Sequence, residues 1–383
     1  MLPSVGVFGT DSVARLLVQL MKKCDFNVTT LCGNSSLAEI RRLAEEYQIA
    51  SYTRKTEEFL LSNDVNMVVL SGDPYECARL ALKALKIGKH VLTISPCGVK
   101  VSQANEMMNS SHPKLLSLVN HPLRFLPAFS KARELIKMKH IGDIFLCECT
   151  IHTSSLIGSN YDWRCDVTTG GGILQTYGSH VIDILAFLLD ERANEVQGLV
   201  ETFATHSAKL PKFRELKSDD FCSFQMKYTS GVRACVLLNS NMGTDFRQTI
   251  TIVGSKGNVK LVNGSLYVQM NHSTNTQEIH VEQYCESVTP HVGDIPQMYT
   301  RGMEYFLADI KKAFQNVGQS NEYLTVSKFF EDKRLVDHNL LEAAANFHSG
   351  RFFHYDRWSF NPTRFFIYKK LVYKKPGLQS PKS

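Results

Sequence analysis

Thr176, Tyr177, His180 and Asp183 recur at three- and four-residue steps, so on a helix they share one face. An imidazole titrates near neutral pH, and a neighbouring carboxylate can orient it and stabilise its charged form. A His180–Asp183 pair, with Tyr177 in the same cleft, could run acid–base chemistry near neutral pH. A group placed for such a step contributes about 10²–10⁴-fold in rate. The bland alternative is a histidine packed between helix and sheet and satisfied by Asp183. Gly170-Gly171-Gly172 runs into this face and permits close backbone approach. Gly171, Thr176, Trp163 and Arg164 then form a substrate wall, with Arg164 pinning a carboxylate or hydroxyls. The other reading is a plain linker and a surface ion pair.

A second constellation stands at the start of the chain. Leu2–Phe8 reads as a buried strand, Gly9-Thr10-Asp11-Ser12 as a tight turn, and Val13–Met21 as a helix. Strand, glycine turn and helix in that order make the phosphate end of a dinucleotide-binding unit, where free N–H groups face a pyrophosphate. The turn departs from G-x-G-x-x-G/A. Gly9 is the first glycine and Ala14 fills the third place, but Asp11 stands at the second. Two like charges 4 Å apart cost roughly 1 kcal/mol in water and roughly 4 at an effective dielectric of 20. Asp is also a good helix cap, so its carboxylate competes for the N–H groups a phosphate would use.

Phe26–Cys32 reads as a strand and Ser36–Tyr47 as an amphipathic helix. Gly33 and Asn34 follow the strand, where an acid would grip the ribose. Asn66–Ser71, Val91–Ile94 and Leu115–Asn120 are further short apolar strands, with helices over Tyr75–Ile87 and Val101–Ser110. This alternation predicts an α/β Rossmann domain, a doubly wound parallel sheet, over residues 1–121. Ligands of such sheets lie beyond the strand carboxyl ends, which places Gly9, Thr10, Asp11, Ala14, Gly33, Asn34, Ser71, Asp73, Pro74, Ser95 and Pro96 at a cofactor.

A helix from Arg124 to about Lys139 leads into residues 122–350, where the texture changes. Alternating strands run over Ile144–His152, Glu195–Ala204, Phe221–Tyr228, Val232–Asn239 and Gln248–Val253, with helices over Gly172–Leu189 and about 298–316 and 325–347. They predict an α+β domain with an open, largely antiparallel sheet. Residues 351–383 form a basic aromatic tail, its aromatic part a terminal strand on the sheet.

The chain has 383 residues, 43% hydrophobic and 21% charged, ordinary for a globular protein. The net charge of +6 sits in the tail, which holds eight Lys/Arg against Asp356; the rest carries 35 basic and 36 acidic residues. Neither a nucleic-acid nor a membrane partner follows. No unbroken apolar run reaches the 18 residues of a membrane span. The ten cysteines form no CxxC, so no metal site is expected and a reducing, cytoplasmic setting is. The apolar start, read as a signal peptide, would make the protein secreted instead. Cys97 reads as structural, and His121 as a turn or surface histidine.

The motifs VGVFGT (5–10), LRFLPAF (123–129), YDWRCD (161–166), GGGILQTYGSHVID (170–183), SDDFCSFQM (218–226) and VGSKG (253–257) fall in a telling order. With them the chain resembles the Gfo/Idh/MocA family of oxidoreductases, most like its animal glucose-fructose oxidoreductase domain-containing members. The resemblance implies NAD(P), hydride transfer to or from a sugar or polyol, and a homo-oligomer formed through the C-terminal sheet. It also implies that a catalytic Lys of relatives is Ser95 here, between Ile94 and Pro96. An acid four residues before the retained His180 is Thr176. These replacements imply weak or lost catalysis, or a non-catalytic nucleotide-binding or scaffolding role.

Overall fold

A computed structural model describes residues 2–110, 115–210, 214–243, 245–283, 295–317 and 353–354. Strands β1 (Val5–Phe8), β2 (Val28–Cys32), β3 (Ser51–Thr53), β4 (Met67–Leu70), β5 (His90–Ile94) and β6 (Ser117–Asn120) form one parallel sheet, ordered β3-β2-β1-β4-β5-β6. β1 and β4 are buried at every residue, as strands covered by helices on both faces must be. The strand order reverses between β1 and β4, and the glycine turn lies at that switch point. Helices α1 (Ser12–Lys23), α2 (Leu37–Glu46), α3 (Thr56–Leu61), α4 (Pro74–Lys86) and α5 (Val101–Ser110) cover the sheet. β3 and α3 escaped sequence reading, since three half-exposed residues and a six-residue helix are too short to show a period.

A short 3₁₀ turn (Pro122–Phe125) and α6 (Pro127–Lys137) lead to the second sheet. Its strands are β7 (Ile144–His152), β8 (Ala193–Glu201), β9 (Phe221–Tyr228), β10 (Arg233–Asn239), β11 (Arg247–Gly254), β12 (Gly257–Val262), β13 (Ser265–Met270) and β14 (Gln277–His280). They are ordered β14-β13-β12-β11-β7-β10-β9-β8, and the two-residue β15 (Phe353–His354) pairs with β8. Among the described residues of this sheet, only β7 and β10 pair in parallel. β12, β13 and β14 were not anticipated. The expected helix over 325–347 and most of the tail lie outside the described residues.

The helix expected from Gly172 begins instead as a π-turn (Leu174–Gly178) that passes into α7 (Ser179–Leu189). The run Val167–Leu189 is long and apolar enough by composition to cross a membrane, but most of it is buried: Val181, Ile184, Leu185 and Leu188 pack into the core of the second domain. α8 (Gln297–Val317) follows that domain in sequence yet buries Met303, Phe306, Leu307 and Ile310 with Leu16, Leu17 and Leu20 of α1. The chain thus returns to close the first core, and the start of α8 reaches the cleft between the two sheets.

Candidate functional site

That cleft has a volume of about 500 Å³. The ends of β1, β4 and β5 supply Asp11, Ser71, Ser95 and Pro96; the second domain supplies Trp163, Arg164, Thr176, Tyr177 and His180. A concave site of this size with a few convergent polar groups suits a small molecule.

The glycine turn places a carboxylate at the mouth of α1. Gly9 has φ +125°, and a Cβ there would stand 2.7 Å from the Ser71 carbonyl oxygen, so the turn crosses β4 only as glycine. Asp11 is the N-cap of α1: its Oδ1 accepts the Ala14 N–H at 2.9 Å and the Ser71 hydroxyl at 3.0 Å. Its Oδ2 accepts from Arg164 Nη2 at 3.1 Å, across the cleft. Arg164 also donates to Asp162 Oδ2 at 2.6 Å and stacks 4.6 Å from the Trp163 ring. Arg164 is therefore a partly exposed, doubly paired cation rather than a free substrate clamp. It ties the second domain to the turn.

Several residues expected at a cofactor do other work. Asp73 caps α4, accepting the Tyr75 and Glu76 N–H groups at 2.8 and 3.3 Å, with Pro74 in the first turn. Thr10 hydrogen-bonds Ser35, and Gly33 packs beneath Thr10, where a Cβ would meet Thr10 Cγ2 at 3.1 Å. Asn34 is exposed. Gly171 does not line the cleft: a Cβ there would lie 2.5 Å from the Arg164 carbonyl oxygen, so its bareness seats the Arg164 backbone. Ser95 Oγ lies 3.1 Å from Ser179 Oγ, and both are buried. Cys97 is buried too, as expected of a structural thiol.

The expected His180–Asp183 pair is not formed. Both Asp183 oxygens accept from Arg124, Nε to Oδ2 and Nη2 to Oδ1, each at 2.6 Å, a fork-to-fork geometry. Asp183 is 1% exposed and Arg124 8%. Helical spacing put Asp183 on the face of His180, but a cation 59 residues upstream claimed it. The neighbour of His180 is His121, buried rather than superficial, with Nδ1 atoms 3.4 Å apart. His121 Nε2 stands 3.9 Å from Asp183 Oδ1. Tyr299 of α8, which sequence reading missed, lies edge-on to both His180 and Tyr177, its hydroxyl donating to Gln248 Oε1 at 3.1 Å.

Burial first, then the charge of His121, hold the His180 imidazole well below its ordinary value of 6.5. It is a neutral group in this site. The unfolded chain takes up a proton there as pH falls through about 6.5 while the folded chain does not, so folding stability drops on the acid side. Urea midpoints measured between about pH 8 and pH 5 should fall, and less steeply in His180→Asn. An unchanged slope would mean that His180 is protonated in the fold.

Residues 129–260 match the sequence model of the GFO/IDH/MocA C-terminal domain. Glucose-fructose oxidoreductase domain-containing protein 1 of Mus musculus is 37% identical over 346 residues, 87% of each chain. Protein 2 of that name from Homo sapiens is 37% identical over 355 residues, 91% of this chain and 88% of its own. The chain belongs to the Gfo/Idh/MocA oxidoreductase family. Its fold is that of levoglucosan dehydrogenase in complex with NADH and levoglucosan: TM-score 0.75, 16% identity, 92% and 99% of the two chains covered. An oxidoreductase domain protein from Kribbella flavida is as similar in fold, at TM-score 0.75 and 20% identity over 93% of this chain and 100% of its own.

A nicotinamide dinucleotide does not fit the turn as it stands. The Asp11 carboxylate already accepts an α1 N–H group and would face a diphosphate with like charge. Gly33 and Asn34 offer the ribose no carboxylate.

Proposed function

We propose that this chain is a Gfo/Idh/MocA-type oxidoreductase-like protein whose cleft takes a sugar, polyol or related carbinol, with NAD(P)-dependent hydride transfer weak or lost. The carrying observation is Asp11 in the phosphate cradle, held there by Ala14 N, Ser71 and Arg164. Two features support it. Ser95 is neither a good base nor a cation and is spent on Ser179, and His180 lacks the carboxylate partner that would raise its basicity. What the residues retain is a neutral imidazole and hydroxyls that can orient a carbinol. The same features favour a second reading, a non-catalytic nucleotide-binding or scaffolding protein on this fold. We further propose a homo-oligomer through the open face of the second sheet, and a cytoplasmic setting, in keeping with free and mostly buried cysteines.

Calorimetric titration with NADH and NADPH tests the reading. Wild type should bind weakly, and Asp11→Gly should bind at least about tenfold tighter, about 1.4 kcal/mol. Equal affinities, or tight binding by wild type, would remove its basis.

A further inference from the structure

The charge of the cleft is set partly by Asp162, a carboxylate that sequence reading passed over. Asp162 Oδ2 accepts Arg164 Nη1 at 2.6 Å, and its Oδ1 accepts the Arg164 backbone N–H at 2.9 Å. Asp11 takes the other end of the guanidinium, and the Trp163 ring covers a face. Among the described residues lining the cleft, Arg164 is the only Lys or Arg, against the carboxylates of Asp11 and Asp162. With His180 neutral, the lining carries a net negative charge. The lining also holds Thr153, Ser154, Ser155, Ser159 and Asn160, groups that hydrogen-bond neutral hydroxyls but neutralise no anion.

We propose that Asp162 is a specificity-determining residue: with Asp11 it saturates Arg164, so the cleft admits uncharged polyhydroxy ligands and turns away phosphorylated and carboxylated ones. This rests on the sugar or polyol reading above and narrows it to neutral members of that class. A cation already paired on two edges gains little from a third anion, and the surplus carboxylate repels it. Freed of both acids, the same arginine would present the planar fork that suits phosphate.

The probe is inorganic pyrophosphate, titrated by calorimetry into the full chain. The variants are Asp162→Asn and the double Asp11→Asn/Asp162→Asn. Asn is as good a helix cap as Asp and can still accept the Ala14 N–H, while at 162 it can still accept the Arg164 N–H. Wild type should bind weakly, with a Kd of about 1 mM or above. Asp162→Asn should bind about tenfold more tightly than wild type, and the double variant about a hundredfold. Adding Arg164→Gln should abolish the gain. The proposal is overturned if neither variant gains affinity, or if the gain survives Arg164→Gln. Should the double variant fail to fold, the single Asp162→Asn comparison decides alone. Failure of the parent reading shows elsewhere, as tight NADH binding by wild type, whatever pyrophosphate does in the variants.

Discussion

Asp183→Ala should lower folding stability by about 3–5 kcal/mol, the usual cost of stranding one member of a buried ion pair. Asp183 and Arg124 are nearly excluded from water, and each of their two bonds is 2.6 Å long. Removing the carboxylate leaves the Arg124 guanidinium buried beside His121, with no anion to balance it. Replacing both partners with apolar groups of similar volume, Arg124→Met with Asp183→Leu, should recover most of the loss. Urea midpoints of the wild type, Arg124→Met, Asp183→Leu and the double complete the cycle. If the single Asp183→Ala lies within about 1 kcal/mol of wild type, as surface pairs do, the pair is not a buried structural tie. This role also separates Asp183 from His180, because its carboxylate is held by the Arg124 guanidinium rather than by the imidazole.

Gly172→Ala should be nearly as costly. Gly172 has φ +106°, and a Cβ there would stand 2.0 Å from Asp219 Oδ1. Asp219 cannot simply step aside, because its Oδ2 accepts the Leu174 N–H at 2.8 Å and its carbonyl accepts the Ile173 N–H at 2.9 Å. Those bonds open the turn that delivers Thr176, Tyr177 and His180 to the cleft. We expect a loss of about 3 kcal/mol or more, made of backbone strain and a displaced Asp219. Gly231→Ala is the matched control: φ is +94°, but a Cβ there meets nothing within 4 Å, so only the strain of about 1–2 kcal/mol applies. Equal losses for the two in urea titrations would remove the close packing claimed for Gly172.

Much of the frame was legible in the sequence because local pattern and final environment agree. β1 and β4 read as unbroken apolar runs and are buried throughout; β7 and β9 alternate and bury alternate residues. β14 was not legible, because half-exposed edge residues such as Gln277–His280 carry little hydrophobic pattern. The site divides along the same line. Asp11 could be placed from its position in the glycine turn. Its partner could not: Arg164 is 153 residues away, and nothing local says which acid a guanidinium will choose. The His180 face shows the same limit. Helical spacing grouped His180 with Asp183 correctly, but His121 and Arg124, entering from another element, decided which side chains pair.

The most direct test of the closed phosphate cradle is the native mass of the full chain after gentle purification. A mass equal to the polypeptide, or a simple multiple of it, is expected for wild type, with a dinucleotide adduct emerging only when Asp11→Gly is incubated with NADH. A wild-type chain that carries NAD(H) or NADP(H) through purification would contradict the account.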